Sequence, residues 1–416
     1  MKKMKKFLAC MVSVGLMVGM LSGCGSSAAD TAASADSAGT TAAAATSGST
    51  TETSEDTIKI GLLFSFGGSE ATLEKCMYNG AVLAVEQVNA AGGINGKQIE
   101  YVAEDYNGEP SLAAEKALKM ITEDNVVAIV GCCSSSSRQA VLSVVEEYDN
   151  LLVYPISYEG QEYSDNIIYC GVVPNQQSSV LVPWAVENYG KNFYFIGNDY
   201  VYPRSTNTQA KEFLANAGGT VVGEEYVPLG DTDYSSVIAN IISAKPDVVF
   251  CDLVGDSQTA FYKQYANYGL ADMGITCVNV ALDDLVATAA GWENVEGMIA
   301  CYDYFPAAGG EQSDAFVEAY KARFNDGSVP ASASEVPYVG VEALAKVLAM
   351  TDDYSSGKAL ADLFSGLSVD APDGTVVFDK ENHHLAVPIY IAEAENGDFK
   401  ILYSQEELIA PLPFGE

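Results

Sequence analysis

Histidine is nearly missing from this 416-residue chain: the two that occur, His383 and His384, are adjacent and close to its end. Two neighbouring imidazoles, remote in sequence from every serine cluster, leave no basis for a zinc cluster or a Ser-His-Asp triad. Positive charge is scarce as well, with 21 Lys and Arg against 56 Asp and Glu and a net charge of −35. Such a chain is a poor partner for nucleic acid or anionic lipid, and its acidity serves solubility. Of nine cysteines no two have the CxxC spacing. Setting Cys10 and Cys24 aside, seven remain, an odd number, most of them in apolar runs such as Val248-Val249-Phe250-Cys251. They read as small buried hydrophobes, not as a disulfide framework or a metal site.

What is present begins at the N-terminus. Lys2, Lys3, Lys5 and Lys6 precede an apolar run over 7–20, short for a bilayer span, which ends in Leu21-Ser22-Gly23-Cys24. The pattern resembles a bacterial lipoprotein signal at 1–23, with Cys24 the lipidated first residue of the mature chain. That implies an extracellular domain held to the membrane by its lipid; without the signal's four lysines the charge is −39. Residues 24–56 are almost all Ala, Ser, Thr, Gly and Asp. Such a segment buries too little apolar surface to offset its ordering entropy and is expected to be a disordered spacer of roughly 30 Å reach.

About 360 residues remain, more than one core usually organises, so two lobes are expected. Short apolar strands alternate with helical stretches: strand 58–64, helix to about 91, strand 98–103, helix 110–124, strand 126–131, helix 137–148, strand 151–154. The rhythm restarts with helix 177–189, strand 193–197, helix 205–217, strand 220–226, helix 234–244, strand 247–251, helix 258–268 and strand 275–280. Helices at 313–324 and 336–350 follow, then short strands at 374–378, 388–392 and 399–403. This alternation predicts an α/β protein with mostly parallel, doubly wound sheets and a ligand cleft at the strand C-termini.

Specific stretches carry a resemblance. Ile58-Lys59-Ile60-Gly61, then Asn89-Ala90-Ala91-Gly92-Gly93-Ile94-Asn95-Gly96-Lys97, resemble the opening of the branched-chain amino acid and amide binding proteins, extracellular receptors of ABC importers. Gly131-Cys132 with Ser134 to Arg138, Tyr154-Pro155, Tyr158-Glu159-Gly160, Pro174-Asn175-Gln176-Gln177, Asp199 to Arg204, Gly255-Asp256-Ser257 and Asn382-His383-His384 are similar to the urea and short-chain amide branch. The chain departs from it at Ile156-Ser157 and at Val280 to Asp284. The resemblance implies two Rossmann-like lobes with a hinge, the type I periplasmic binding protein fold. Lobe 1 would be 57–175 with a return segment at about 302–365, and lobe 2 would be 176–301 with a return segment at about 366–416. It implies capture of a small neutral amide, urea foremost, for delivery to the permease subunits of an ABC importer, with no cofactor and no metal. An amino acid receptor of the same family is the alternative.

The candidate ligand residues are Ser134, Ser135, Tyr154, Tyr158, Glu159, Tyr200 and Asp256. Serines at a helix N-terminus add hydroxyl donors to unpaired N–H groups, and by the family motif Ser135 is expected to meet a carbonyl oxygen. Ser137 is expected to act as the helix cap. Tyrosines can stack on a planar ligand and fix it by their hydroxyls. Asp256 and Glu159 would accept ligand N–H groups, and Arg138 and Arg204 are expected to hold framework acids. A hydrolase would need an activated nucleophile beside a base, and no histidine lies near a serine cluster in the sequence. An intracellular amide sensor of related fold is at odds with the Cys24 signal.

Overall fold

The computed structural model describes residues 57–415; the signal, Cys24 and the spacer lie outside the described residues. In chain order the first elements are β1 (Thr57–Phe64), α1 (Ala71–Ala90), β2 (Gln98–Asp105), α2 (Pro110–Thr122), β3 (Ala128–Gly131), α3 (Ser135–Glu147), β4 (Leu151–Tyr154) and β5 (Ile167–Tyr169). They form a parallel sheet in the order β2-β1-β3-β4-β5. Strand β1 is buried along nearly its whole length, the continuous apolar pattern of a sheet covered on both faces.

The second set is α4 (Ser178–Asn188), β6 (Asn192–Asn198), α5 (Val201–Asn216), β7 (Thr220–Val227), α6 (Ser235–Ala244), β8 (Val248–Asp252), α7 (Gly255–Asn267), β9 (Thr276–Asn279), α8 (Asp284–Ala290) and β10 (Ile299–Tyr302). Its strands repeat the winding of the first sheet, β7-β6-β8-β9-β10, all parallel. After α9 (Glu311–Arg323), α10 (Ser332–Leu348) and α11 (Gly357–Asp362) come β11 (Ser368–Ala371), β12 (Gly374–Phe378), β13 (Leu385–Glu395) and β14 (Asp398–Ile409). Strand β13 adds antiparallel to β10 and carries β12 and β14.

Helix α10 lies against α1 at close range. A Cβ at Gly80 would stand 1.9 Å from the Ser334 carbonyl oxygen, so only glycine permits this crossing. The seven cysteines among the described residues are all free and buried, as small hydrophobes. Among the described residues no helix is long and apolar enough to cross a membrane.

Several boundaries differ from the sequence expectation. Helix α5 starts at Val201, not at 205, because Pro203 sits in its first turn, where its missing N–H has no intrahelical partner to lose. Strand β13 runs from Leu385 to Glu395 straight through Pro388, beyond the expected 388–392. Strands β5, β10 and β11 and helices α8 and α11 are elements the pattern did not resolve.

Candidate functional site

In a sheet ordered 2-1-3-4-5 the crevice opens where the winding reverses, at the C-terminal ends of the first and third strands. Both sheets of this protein have that order, and a single cavity of about 330 Å³ sits against both reversals. From the first sheet it is lined by Ser69 and Glu70 beyond β1, Cys133 and Ser135 beyond β3, and Ile156 and Ser157 beyond β4. From the second come Tyr200 and Tyr202 beyond β6, Val254 to Asp256 beyond β8, Asp283 beyond β9 and Tyr302 on β10. An apolar portion is supplied by Leu73, Leu285, Val286 and Ala289.

The two sides touch at the rim. The Asp256 N–H donates to the Ser69 carbonyl at 3.1 Å, and away from the cavity lining the Gln209 amide donates to the Glu159 carbonyl at 2.8 Å. Gly255, at φ +60°, makes the first contact possible: a Cβ there would lie 2.4 Å from the Ser69 oxygen.

The serine run is split between three roles. Ser134, not Ser137, is the cap of α3: its Oγ accepts the Ser137 N–H at 3.2 Å. The reason is local, since Ser134 keeps extended backbone angles and Ser137 is already the third helical residue. That cap leaves the N–H groups of Ser135 and Ser136 with no partner inside the helix. Cys132, at φ +64°, turns the chain sharply after β3 and brings Cys133 and Ser135 onto the cavity wall. The Ser135 hydroxyl is committed: it donates to Glu159 Oε2 at 2.5 Å and accepts from Arg138 Nη1 at 3.2 Å.

Arg138 is wholly buried and pairs with Glu159 at 2.8 Å and with Glu162 at 2.8 Å. Its guanidinium also sits 5.0 Å from the Tyr154 ring centre and 4.4 Å from that of Tyr158. Arg204 likewise holds an acid, Asp199, at 2.6 Å on the surface. The Tyr154 hydroxyl donates to the Cys133 carbonyl. Tyr158 stacks on Tyr169 and bonds through its hydroxyl to His384 Nε2 at 2.5 Å, His384 lying flat on Tyr169 with ring centres 4.3 Å apart. Burial holds the His384 ring well below the ordinary histidine range, at about 3, so it is a neutral packing element.

Of the residues singled out in the sequence, Ser135, Tyr200 and Asp256 line the cavity, whereas Ser134, Tyr154, Tyr158 and Glu159 are not among its lining. Asp256 stands at the rim with its side chain exposed. The buried carboxyls on the wall are different ones, Asp283 and Glu70, the latter 6% exposed just ahead of α1. Burial pushes the Glu70 pKa up to about 7, against the pull of a Cys133 Sγ–H bond. The signal for it in sequence was its place, in the loop between the first strand and the first helix.

Tyr200 is held well above the usual tyrosine range, by burial first and then by the Glu70 charge. Behind Tyr202, Asp252 is fully buried with neither oxygen in a well-formed hydrogen bond, and its pKa is pushed up to about 8 by that burial. Asp283 is raised by burial too, but its oxygens cap α8 at Val286 N, 3.0 Å, and accept Ala333 N at 3.3 Å. Glu70, Glu74 and Cys133 place one potential ligand atom each within 4.8 Å of one another. Glu74 there is already engaged by Ser65 N at 2.8 Å and by the Tyr106 hydroxyl at 2.6 Å, which argues for a structural role.

Comparison with known proteins agrees with this geometry. The family described as "Periplasmic binding protein domain" matches residues 58–416. A leucine-, isoleucine-, valine-, threonine- and alanine-binding protein of Pseudomonas aeruginosa is 26% identical over 335 residues, 78% of this chain and 87% of its own. A solute binding protein of an ABC transporter from Rhodopseudomonas palustris BisB5, solved with 3,4-dihydroxybenzoic acid, superposes with TM-score 0.78 at 24% identity, over 86% of this chain and 99% of that one. A branched-chain amino acid transporter substrate binding protein from Streptococcus pneumoniae, solved with isoleucine, gives TM-score 0.75 at 22% identity, over 85% and 100%. The relatives it matches are solute-binding proteins and not enzymes, and the chain belongs to the periplasmic binding protein family.

Proposed function

We propose that this protein is a receptor tethered by a lipid at Cys24 to the outer face of the cell membrane, which captures urea or a short-chain amide and hands it to the permease subunits of an ABC importer. One observation carries the ligand class: the cavity wall is two-sided. The N-terminus of α3 offers free N–H groups for a carbonyl oxygen, and Glu70 with Asp256 offers acceptors for N–H groups. A planar amide matches both sides without bringing charge. The motif set of the amide branch, from Gly131 through Gly255-Asp256-Ser257, supports the same reading. We take the two lobes to be 57–175 with about 302–365, and 176–301 with about 366–416, closing on a ligand that touches both.

A second reading, a branched-chain or related amino acid as ligand, is favoured by the apolar portion of the cavity at Leu73, Leu285, Val286 and Ala289, which urea would leave unfilled. The Pseudomonas and Streptococcus relatives carry such ligands in their names. A thermal-shift titration with urea, formamide, acetamide, leucine and valine separates the two, since only a ligand of the native state raises the melting temperature. A shift with leucine or valine and none with any amide would overturn the amide reading. For the anchor, Cys24→Ala is expected to release the protein from the membrane fraction or leave it unprocessed; a mature-sized, membrane-bound variant would refute it.

A further inference from the structure

The electrostatics of the cavity are lopsided. The Glu70 carboxyl receives one hydrogen bond, from Cys133 Sγ at 3.8 Å, a weak donor at long range. None of the ion pairs among the described residues includes it. The groups that face it are themselves acidic or neutral: Glu74 one turn along α1, Cys133 from the β3–α3 loop and Tyr200 from the β6–α5 loop. The buried cation Arg138 is spent on Glu159 and Glu162 behind the wall. Lys263, the one basic side chain lining the cavity among the described residues, is exposed on α7. A buried carboxylate left without a counter-charge is unfavourable, and the position is stable either when it is protonated or when a cation arrives.

We propose that Glu70 is the specificity-determining residue of the cavity and selects a ligand that brings its own positive charge as an N–H-rich group, such as an amidinium, guanidinium or ammonium. This rests on the reading of the cavity as the solute site and departs from the neutral-amide reading of its ligand, since it favours the cationic isostere of an amide over the amide itself. Two planar pairs isolate the effect, because urea and guanidinium, and acetamide and acetamidinium, share their shape and differ in charge. Near pH 7 the carboxyl exchanges its proton, so a cationic ligand gains as pH rises, while a neutral amide is nearly indifferent.

The test is calorimetric or thermal-shift titration of the full chain and of Glu70→Gln with millimolar guanidinium, acetamidinium, urea, acetamide and leucine, at pH 5.5 and 8.5. Cationic probes should bind the native chain more tightly than their neutral isosteres at pH 8.5. Glu70→Gln should lose about ten- to a hundred-fold in affinity for the cationic probes, while any neutral probe that binds changes by about three-fold at most. Glu70→Asp, which keeps the charge, should retain the cation preference and shows that a loss in Glu70→Gln is not misfolding. If an amide binds better than its cationic isostere, or if Glu70→Gln leaves cation affinity unchanged, the inference fails while the solute site stands. If no probe of any class binds, the reading of the cavity as this solute site fails with it.

Discussion

Arg138 Nη2 and Glu159 Oε1 face each other at 2.8 Å with both side chains sealed from solvent, and the same carboxylate accepts a hydrogen bond from the Ser135 hydroxyl. The pair therefore fixes the first turn of α3 against the cavity without entering it. Removing one partner leaves the other buried and under-compensated, a change that typically costs about 3–5 kcal/mol. Glu159→Ala is expected to lower the melting temperature by several degrees, with Glu162 limiting the loss through its own 2.8 Å bond. An unchanged melting curve, followed by circular dichroism, would show that the pair is not what holds the turn.

The serines separate by the measurement they affect. Ser134→Ala removes the cap and should lower stability by about 0.5–2 kcal/mol while binding is retained. Ser135→Ala removes a bond to a charged group, worth roughly 1.5–3 kcal/mol, and loosens the first turn of α3, where Ser135 lines the cavity. It should therefore lower both melting temperature and ligand affinity. Ser137→Ala should do less than Ser134→Ala; the reverse order would return the cap to Ser137.

Gly255→Ala tests the contact at the rim. The new methyl would meet the Ser69 carbonyl at 2.4 Å in a backbone conformation that alanine resists, at a cost above about 1 kcal/mol. Ligand affinity should fall by about ten-fold or more, and small-angle scattering should show a larger radius of gyration in the presence of ligand. Native affinity with native compaction would mean that the two sides can close without this contact.

Stability should fall as pH rises from about 6.5 to 8.5, contrary to the usual acid lability. Glu70 is raised from 4.5 to about 7, and Asp252 and Asp284 from 3.8 to about 8, all chiefly by burial. A raised folded pKa means the neutral form is favoured in the fold, so its stabilisation is complete below the unfolded value and lost as pH climbs through the folded one. His384, depressed from 6.5 to about 3, works in the other direction, but only as pH falls below its ordinary value. The window above 6.5 thus belongs to the carboxyls. Melting temperatures across it should decline, and Asp252→Asn should flatten the decline; a rise would contradict these assignments.

The parallel framework was legible because its strands are continuous apolar runs, such as Ile60 to Phe64, and its helices keep a regular period. The elements that escaped are those without room for a pattern. Strand β5 has three residues, and β10 and β11 have four each, too short for alternation to appear. The site was half legible. Ser135, Tyr200 and Asp256 follow strand ends of the two sheets, where a doubly wound fold puts its ligands. Tyr154, Tyr158 and Glu159 have the chemistry of ligand contacts, but their partners Arg138 and His384 lie 16 or more residues away in sequence, or at the other end of the chain. Only the folded chain shows that these groups are consumed by one another. Glu70 was missed because an isolated glutamate before a helix looks like any solvated first-turn acid until its surroundings are known.

The contact between the Asp256 N–H and the Ser69 carbonyl is main chain to main chain. A clasp of that kind is indifferent to cargo, because neither half is a side chain that a ligand has to displace or recognise. The contact and the cavity wall are therefore separable: Glu70 is a wall side chain, whereas the Asp256–Ser69 bond uses no side-chain atom at all. Substitutions along the wall can thus alter its chemistry while the atoms that join the two sides stay the same.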